Sequence, residues 1–330
     1  MKVSFLLLVT GEVDLLRRAL PAAAAEAPDE LVLVDNGADD AVAALGAEQG
    51  ARVVRLARRA SYCEAMNVGL AVCGGEAIAL LQADTFVTPG YREAALRALA
   101  DPRVGAVAPR LVRAEPSGEP TDELDTAGMV VDRRRKNGLV GHGTPAAAWS
   151  RPGEVFGADG AAAVYRREAL LGGAVGAEVF DPDLERWAAD ADVAWRTRVM
   201  GWTAAFAPDA VVHHVRTYSP STRTTMGAED RRMQFRNRYL MMAKNDSWPE
   251  LRRDLPRVAL YEVLALGHAL LRERDLLPAY ADAWRRLPAA RARRREIQAR
   301  RRTQRVPFGL ELAPAGQAGA AGPSQPAARS

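Results

Sequence analysis

Residues 3–9, Val-Ser-Phe-Leu-Leu-Leu-Val, form a continuous run that is apolar but for Ser4 and stops at Thr10-Gly11. A run without polar alternation is the pattern of a parallel strand buried on both faces. Leu15, Leu16, Ala19 and Leu20 follow at helical spacing. A second apolar run, residues 30–34, ends in Asp35-Asn36-Gly37. The pattern then predicts a helix over 40–49, a strand over 51–56, a helix over 61–72 and a fourth strand over 77–81 that ends at Gln82-Ala83-Asp84-Thr85. A further helix is expected over 90–99 and a strand over 104–108. Such alternation predicts a doubly wound α/β sheet. Ligands of these sheets bind beyond the carboxyl ends of the strands. Thr10, Asp35 and Asp84 are therefore expected together on one edge.

Residues 114–153 are rich in glycine, proline and charge and read as a long loop, a kind of segment that often carries function. Order resumes over 155–171. Residues 180–202 contain a helix with Asp190 near its start and Gly201 just past its end, and 210–215 reads as a strand carrying His213 and His214. Beyond about residue 220 the chain turns helical and basic, and from Pro307 it is dominated by Ala, Gly, Pro, Ser and Gln. The expected organisation is a catalytic unit over 1–220, a helical extension over 221–306 and a disordered tail over 307–330.

Composition narrows the class without naming it. The 330 residues are 48% hydrophobic and 26% charged, which suits a folded globular protein and excludes wholesale disorder. Two cysteines, Cys63 and Cys73, exclude a disulfide scaffold and a Cys-rich zinc module. No stretch reaches the roughly 18 apolar residues of a membrane span, and acidic residues follow the first apolar run where a signal peptide would need small ones. A reduced, cytoplasmic protein is expected. The formal net charge is +4, but residues 284–305 hold ten arginines against one glutamate. The rest of the chain is thus net acidic. Such a run suits a phosphate-rich partner, most readily an anionic membrane surface on the inner face of the cell membrane, with nucleic acid the less favoured reading. A solvated Arg-rich helix is the plain alternative.

Several side chains are candidates for chemistry. Asp35 could accept hydrogen bonds from a ribose or base, or simply form the Asp-Asn-Gly turn. Asp84 could hold a divalent cation that binds a diphosphate, or cap the following turn. Asp190 and Asp192 sit where aspartates cap helices, but a carboxylate whose pKa is raised by burial can also act as general base. Neighbouring strand residues face opposite sides, so at most one of His213 and His214 can point into a site. No Walker A, G-x-G-x-x-G or G-x-S-x-G sequence is present in a suitable place.

Read in order, these segments resemble the family 2 glycosyltransferases, and within them the rhamnosyltransferase-like bacterial branch. Val34-Asp35-Asn36-Gly37-Ala38-Asp39-Asp40 is similar to that family's V-D-N-G-S-x-D turn, and Ala65-Met66-Asn67-Val68-Gly69-Leu70 to its a-N-N-x-G-l helix. Leu81-Gln82-Ala83-Asp84-Thr85 with Pro89-Gly90 resembles L-N-P-D-T…P-G, its form of the D-x-D metal motif. Residues 155–162 with Tyr165-Arg166-Arg167 resemble its central G-A-x-G…R-R segment. Residues 180–196 align without a gap to F-D-x-D-F-F-x-Y-x-E-D-V-D-L-x-W-R. Gly201-Trp202, Pro208, Ala210, His214, Arg236-Asn237-Arg238-Tyr239 and Lys244-Asn245 follow in family order.

The resemblance implies a GT-A type doubly wound mixed sheet with a Rossmann-like nucleotide-binding half and a C-terminal helical extension. It implies metal-assisted, inverting transfer from a nucleotide-sugar donor, with Mg2+ or Mn2+, to a hydroxyl of a cell-envelope glycan or a polyprenyl-diphosphate-linked acceptor; rhamnose is the sugar suggested. By position, Thr10, Asp35, Asn67 and Asp84 would line the nucleotide. Asp84 with His214 would hold the metal, and Asp190 would be the general base. Asp159, Asp192, Trp195 and Arg196 would lie on the acceptor side or support it. The chain departs from the pattern at Gln82, where many relatives carry Asp or Asn, and at Ala189, which replaces the Glu of the E-D pair. A non-catalytic relative or a sugar-phosphate nucleotidyltransferase are the competing classes. The second would need a basic, Gly-rich loop where Thr10-Gly11-Glu12-Val13-Asp14 stands.

Overall fold

A computed structural model describes residues 1–37, 40–218 and 222–315. Its first half alternates β1 (Val3–Val9), α1 (Val13–Ala25), β2 (Glu30–Asp35), α2 (Asp40–Glu48), β3 (Arg52–Arg55), α3 (Tyr62–Val72) and β4 (Ala77–Gln82). The short β5 (Thr85–Val87) and α4 (Tyr91–Leu99) follow, then the long β6 (Val104–Ala114). Next come β7 (Pro120–Thr126), β8 (Met129–Val131), β9 (Asn137–Leu139), β10 (Gly153–Val155), β11 (Val164–Arg166) and α5 (Arg167–Gly172). The remainder is α6 (Ala189–Val199), β12 (Thr203–His214) and three long helices, α7 (Ala228–Asn245), α8 (Trp248–Leu271) and α9 (Leu277–Ala299).

The main sheet runs β10-β12-β6-β11-β4-β1-β2-β3. Strand β1 pairs in parallel with β2 and β4, and β2 with β3. The short β11 is antiparallel to both β4 and β6, which makes the sheet mixed. The apolar run of β1 needs no alternation because both faces are covered. Leu6 and Leu8 enter one core with Met66 and Leu70 of α3, while Phe5, Leu7 and Val9 enter another with Leu16 and Leu20 of α1 and Tyr91 of α4. Helix α3 starts where a capping box fixes it: the Ser61 hydroxyl accepts from the Glu64 N–H (3.2 Å), and the Ser61 N–H donates to the Glu64 carboxylate (3.0 Å).

Two regions differ from the reading of the sequence. Residues 114–153 are not one loop, because β7 pairs with β6 and β8 with β9. The pattern missed β7 because Thr121, Asp122, Glu123 and Asp125 make it a polar strand. At the other end, Pro307–Ala315 is a packed strap, not a loose tail. The Phe308 ring stacks on Phe156 (6.1 Å between centroids) and meets Trp195 edge-on (5.0 Å), with the Arg135 guanidinium 3.8 Å from its centroid. The Gly309 N–H donates to the Val131 carbonyl, and the Ala315 N–H to the Ala148 carbonyl. A composition rich in small residues hid one aromatic anchor. The rest of the expected tail, 316–330, lies outside the described residues, as do the 220/221 boundary (Pro220 and Ser221) and Ala38 and Asp39 of the Asp-Asn-Gly turn motif.

The arginine run is turned inward. Arg286 reaches Asp183 and Glu185, Arg293 reaches Asp181 and Asp183, Arg294 donates to the Ala243 and Asp246 carbonyls, Arg300 to the Gly172 and Ala174 carbonyls, and Arg301 pairs with Glu250. Half of the run's ten arginines therefore fasten the C-terminal segment to the rest of the chain.

Helix α6 is held by a buried ionic knot. The Asp192 carboxylate, fully buried, accepts from Arg196 Nε (3.0 Å), Lys244 Nζ (2.9 Å) and Asn245 Nδ2 (2.7 Å). Lys244 also bonds Asp181, and Arg196 donates to the Gly173 and Val179 carbonyls. Removing one member of such a group leaves the other charges buried without a partner. We expect Asp192→Ala to lower stability by about 3–5 kcal/mol, measured by denaturant unfolding. An unchanged midpoint would show that the knot holds nothing.

Candidate active site

The carboxyl ends of the central strands open onto a cleft of about 710 Å³, a size suited to a cofactor-sized ligand. Its walls come from segments far apart in the chain. They are Thr10 and Glu12 after β1, the entry to α3, Gln82–Asp84 after β4, the turn 159–161, the stretch 185–190, and His214 with Arg216 and Tyr218 at the end of β12. Of the residues singled out in the sequence, Thr10, Asp84, Asp159, Asp190 and His214 meet here. His213, its neighbour on the strand, is not in the lining.

Asp35 and Asn67 lie outside that lining. Asp35 is buried at the end of β2, with its Oδ2 3.3 Å from Arg55 Nε. The Asn67 amide is occupied on both sides, since it donates to the Phe180 carbonyl (2.7 Å) and accepts from the Phe180 N–H (2.8 Å). It clamps α3 to the segment leading to Asp190. Asp192, Trp195 and Arg196 are likewise interior. They position α6 from behind and do not face the cleft. The residue beside Asp35 has a clearer link to the site: the Asn36 amide donates to Thr10 Oγ1 (3.4 Å) and to the Ala60 carbonyl (3.0 Å).

Asp84 sits in the turn between β4 and β5, tied by the Val215 N–H to its carbonyl (3.0 Å). Its Oδ2 lies 3.7 Å from His214 Nε2, while Oδ1 is buried with no hydrogen-bond partner among the described residues. His214 is oriented from behind: its Nδ1–H donates to Asp125 Oδ2 (2.8 Å), which aims Nε2 at Asp84. Burial and the Arg216 charge push the His214 pKa down, but the bonds to Asp125 and Asp84 outweigh them and raise it to about 9. Burial works against charge on Asp125 as well, yet His214 and Arg216 hold its carboxyl well below the usual range. Arg216 completes the frame, with Nε 2.5 Å from Asp125 Oδ1 and Nη2 2.8 Å from Asp159 Oδ2.

Sequence reasoning missed Asp125 and Arg216. The first lies in the region read as loop, and neither belongs to a recognisable spacing. Gln82, by contrast, finds a task that Asp could not perform, since its Nε2 donates to the Gly160 carbonyl (3.4 Å).

Asp190 enters from the first turn of α6. Glu185 and Ala188, just before it, both adopt left-handed backbone (φ 61° and 60°), a conformation that costs energy in non-glycine residues and clusters at working sites. Asp190 Oδ2 accepts from the Gly160 N–H (3.2 Å) and Oδ1 from the Ala191 N–H (2.8 Å). A Cβ at position 160 would lie 3.1 Å from Asp190 Cβ, so glycine suits this approach. Burial first, and the Asp159 charge second, lift the Asp190 carboxyl to about 6, against the two N–H groups that hold it down.

No group of three or more His, Cys, Asp or Glu that could hold a metal ion alone exists among the described residues. Mg2+ and Mn2+ fit nonetheless, because such ions take one or two protein side chains and fill their remaining positions with water and substrate phosphates. The unpartnered Asp84 Oδ1 and the nearby His214 Nε2 are a donor pair of that kind. A second cavity, about 320 Å³, lies at the opposite edge of the sheet, but its acidic groups are engaged: Asp29 accepts from Val3 N–H and Arg92, and Glu30 from Ser4 and Gly74.

The family profile described as Glycosyl transferase family 2 matches residues 4–171. The chain belongs to glycosyl transferase family 2 and is by that membership a glycosyltransferase. The matched span includes Thr10, Asp84 and Asp159 and ends before Asp190, His214 and Arg216. Among curated proteins, no sequence matches the chain.

Solved structures share the GT-A fold. GalNAc-T7 with UDP, GalNAc and Mn2+ superposes with a TM-score of 0.57 at 16% identity, over 74% of this chain and 48% of that one. The mannosyltransferase PcManGT from Pyrobaculum calidifontis, in complex with GDP-Man and Mn2+, gives 0.53 at 19%, over 88% and 75%. TarS from S. aureus gives 0.57 at 13%, over 88% and 49%. The chain thus spans about half the length of two of these three.

We expect Asp84→Ala to weaken Mn2+-dependent binding of a nucleoside diphosphate by about tenfold or more, read by calorimetry, with the melting temperature little changed. Equal affinity in variant and parent, with Mn2+ present, would remove Asp84 from the metal site.

Proposed function

We propose that the protein transfers a sugar from a nucleoside-diphosphate donor to an acceptor hydroxyl, with inversion at the anomeric carbon and Asp190 as general base. One observation carries the reading: the Asp84–His214 pair, from two strand ends, and the Asp190 carboxyl, from the start of α6, line the same cleft. A nucleotide-sugar donor and Mn2+ are supported by the ligands of two structural neighbours, UDP with GalNAc in one and GDP-Man in the other. On the sequence resemblance alone, the sugar we propose is rhamnose, and the acceptor a cell-envelope glycan or a polyprenyl-diphosphate-linked chain. Glu12 in the cleft wall, where a nucleotidyltransferase needs cationic groups for a triphosphate, speaks against that alternative.

The chemistry follows from the placement of charge. The acceptor hydroxyl gives its proton to Asp190, whose two oxygens are fixed by the Gly160 and Ala191 N–H groups and need no reorientation. The oxygen so activated forms a bond to the anomeric carbon as the bond to the diphosphate breaks, and a single displacement of this kind inverts the centre. Base and leaving group must then lie across the sugar from each other. Asp84 and His214 would hold the ion on the diphosphate side. When bound, Mg2+ or Mn2+ would neutralise the negative charge that builds on the departing diphosphate. Trp187 and Tyr218, edge to face at 6.0 Å in the cleft wall, offer rings against which a sugar can pack. Trp187 is fixed by its Nε1–H bond to Asp230 (2.7 Å).

Asp190 works as the carboxylate, so activity is present above its pKa and is lost as the pH falls through about 6. We expect kcat to rise with pH and level off above that value. We expect Asp190→Asn to lower kcat by about 10³ while nucleotide affinity stays within twofold or so of the parent. The assay is transfer from a panel of nucleotide sugars with Mn2+. Near-parental turnover by the variant would refute the assignment of the base.

A further inference from the structure

Helix α8 is amphipathic in an inverted sense. Its three acidic residues turn inward: Glu250 pairs with Arg301, Asp254 with Arg133 and Arg135, and Glu262 with Arg238 and Tyr239. Its opposite face is apolar and open. Leu260 is 62% exposed, Val263 69%, Leu264 63% and Leu271 79%. The ionic face is thus the one that is packed, and the leucines are left to solvent, the reverse of a surface helix on a globular body. On the same outward side, earlier in the helix, stand the exposed Arg252, Arg253 and Arg257, with no ion pair among the described residues. No acidic residue shares that face. At 24 residues α8 is long, yet no helix among the described residues is apolar enough to cross a membrane.

The apolar end of α8 also lies beside the cleft. Glu273, just past the helix, pairs with Arg223 and accompanies Asp275 in holding Arg231. Arg231 belongs to the first turns of α7, whose Asp230 and Met233 line the cleft.

We propose that the outward face of α8 seats the protein on an anionic lipid bilayer. Leu260, Val263, Leu264 and Leu271 enter the boundary between headgroups and acyl chains, and Arg252, Arg253 and Arg257 meet the lipid phosphates. The charge complementarity selects this occupant: apolar area combined with positive charge alone is what an interfacial helix presents to acidic lipid. The end of α8 near Leu271 then brings the cleft-lining start of α7 close to the bilayer, where a lipid-linked acceptor would be carried. The membrane contact itself does not depend on the transfer reading.

The test is co-sedimentation of the full chain with phosphatidylcholine vesicles, with and without phosphatidylglycerol. The parent is expected to sediment with the phosphatidylglycerol vesicles and to be released by salt. The triple change Val263→Glu, Leu264→Glu, Leu271→Glu is expected to reduce partitioning by about tenfold or more. The triple change Arg252→Gln, Arg253→Gln, Arg257→Gln is expected to abolish the preference for phosphatidylglycerol. All six positions are exposed, so unchanged circular dichroism and melting temperature serve as controls for folding. A parent that stays in the supernatant overturns the proposal, as does a glutamate variant that sediments like the parent. Self-association of the parent in sedimentation velocity, lost in the glutamate variant and unaccompanied by vesicle binding, also overturns it and gives the face to a second copy of the chain.

Discussion

The cleft depends on the guanidinium of Arg216. Asp84, Asp125, Asp159 and Asp190 arrive from four separate parts of the chain, and four carboxylates gathered in a partly buried space repel one another. Arg216 bonds Asp125 and Asp159 at once and so fastens the polar strand β7 and the turn before β11 to the end of β12. With Asp125 held, His214 has a fixed acceptor behind it, and its other nitrogen is presented to Asp84. The guanidinium offsets part of the acidic charge. What remains uncompensated is concentrated at Asp84, whose Oδ1 has no protein partner among the described residues, and there an added cation has most to gain.

A second arrangement of opposite charges supports the first from behind. Asp181 and Asp192 are buried against Lys244 and Arg196, and Asn237 donates to the Leu184 and Trp187 carbonyls. These contacts fix the stretch 181–188 on which the left-handed residues Glu185 and Ala188 stand. Arg286 and Arg293 of α9 reach the same stretch through Asp183. The C-terminal helices are therefore part of what shapes the acidic wall of the cleft. Polar and charged contacts buy directionality that apolar packing lacks, and the segment that must hold an unfavourable backbone is the one most densely bonded.

The sequence made the sheet legible because its information is local. Buried parallel strands are continuous apolar runs, and each ends at a polar residue that the topology brings to one edge. Thr10, Asp84 and His214 could be anticipated for that reason, and Asp190 from its place near a helix start. What could not be read is pairwise and distant. Nothing local distinguishes Asp125 from any aspartate of a polar stretch, or tells that Arg216 will meet it 91 positions away. Composition counts arginines without showing what they touch, so a run half of whose members engage the stretch 181–185, Glu250 and nearby carbonyls passed for a free cationic face. Asn67 looked like a binding residue because its motif did, while its amide closes a backbone clamp with Phe180. Phe308 was submerged in small residues around it, although one ring in a hydrophobic slot suffices to order a strap.

The scaffold and the base share one element. Asp159 raises the Asp190 pKa, and Arg216, bonded to Asp159, lowers it. Without the guanidinium, the repulsion from Asp159 would add to the effect of burial unopposed, and the Asp190 carboxyl would rise further. With a cation closer to Asp190 itself, the pKa would fall to that of an ordinary aspartate and the carboxylate would lose basicity. Placing the positive charge one residue removed, on Asp159, leaves Asp190 ionised near neutrality yet basic enough to act. The group that assembles the cleft thereby also acts on the proton affinity within it, against the burial that raises the Asp190 pKa most.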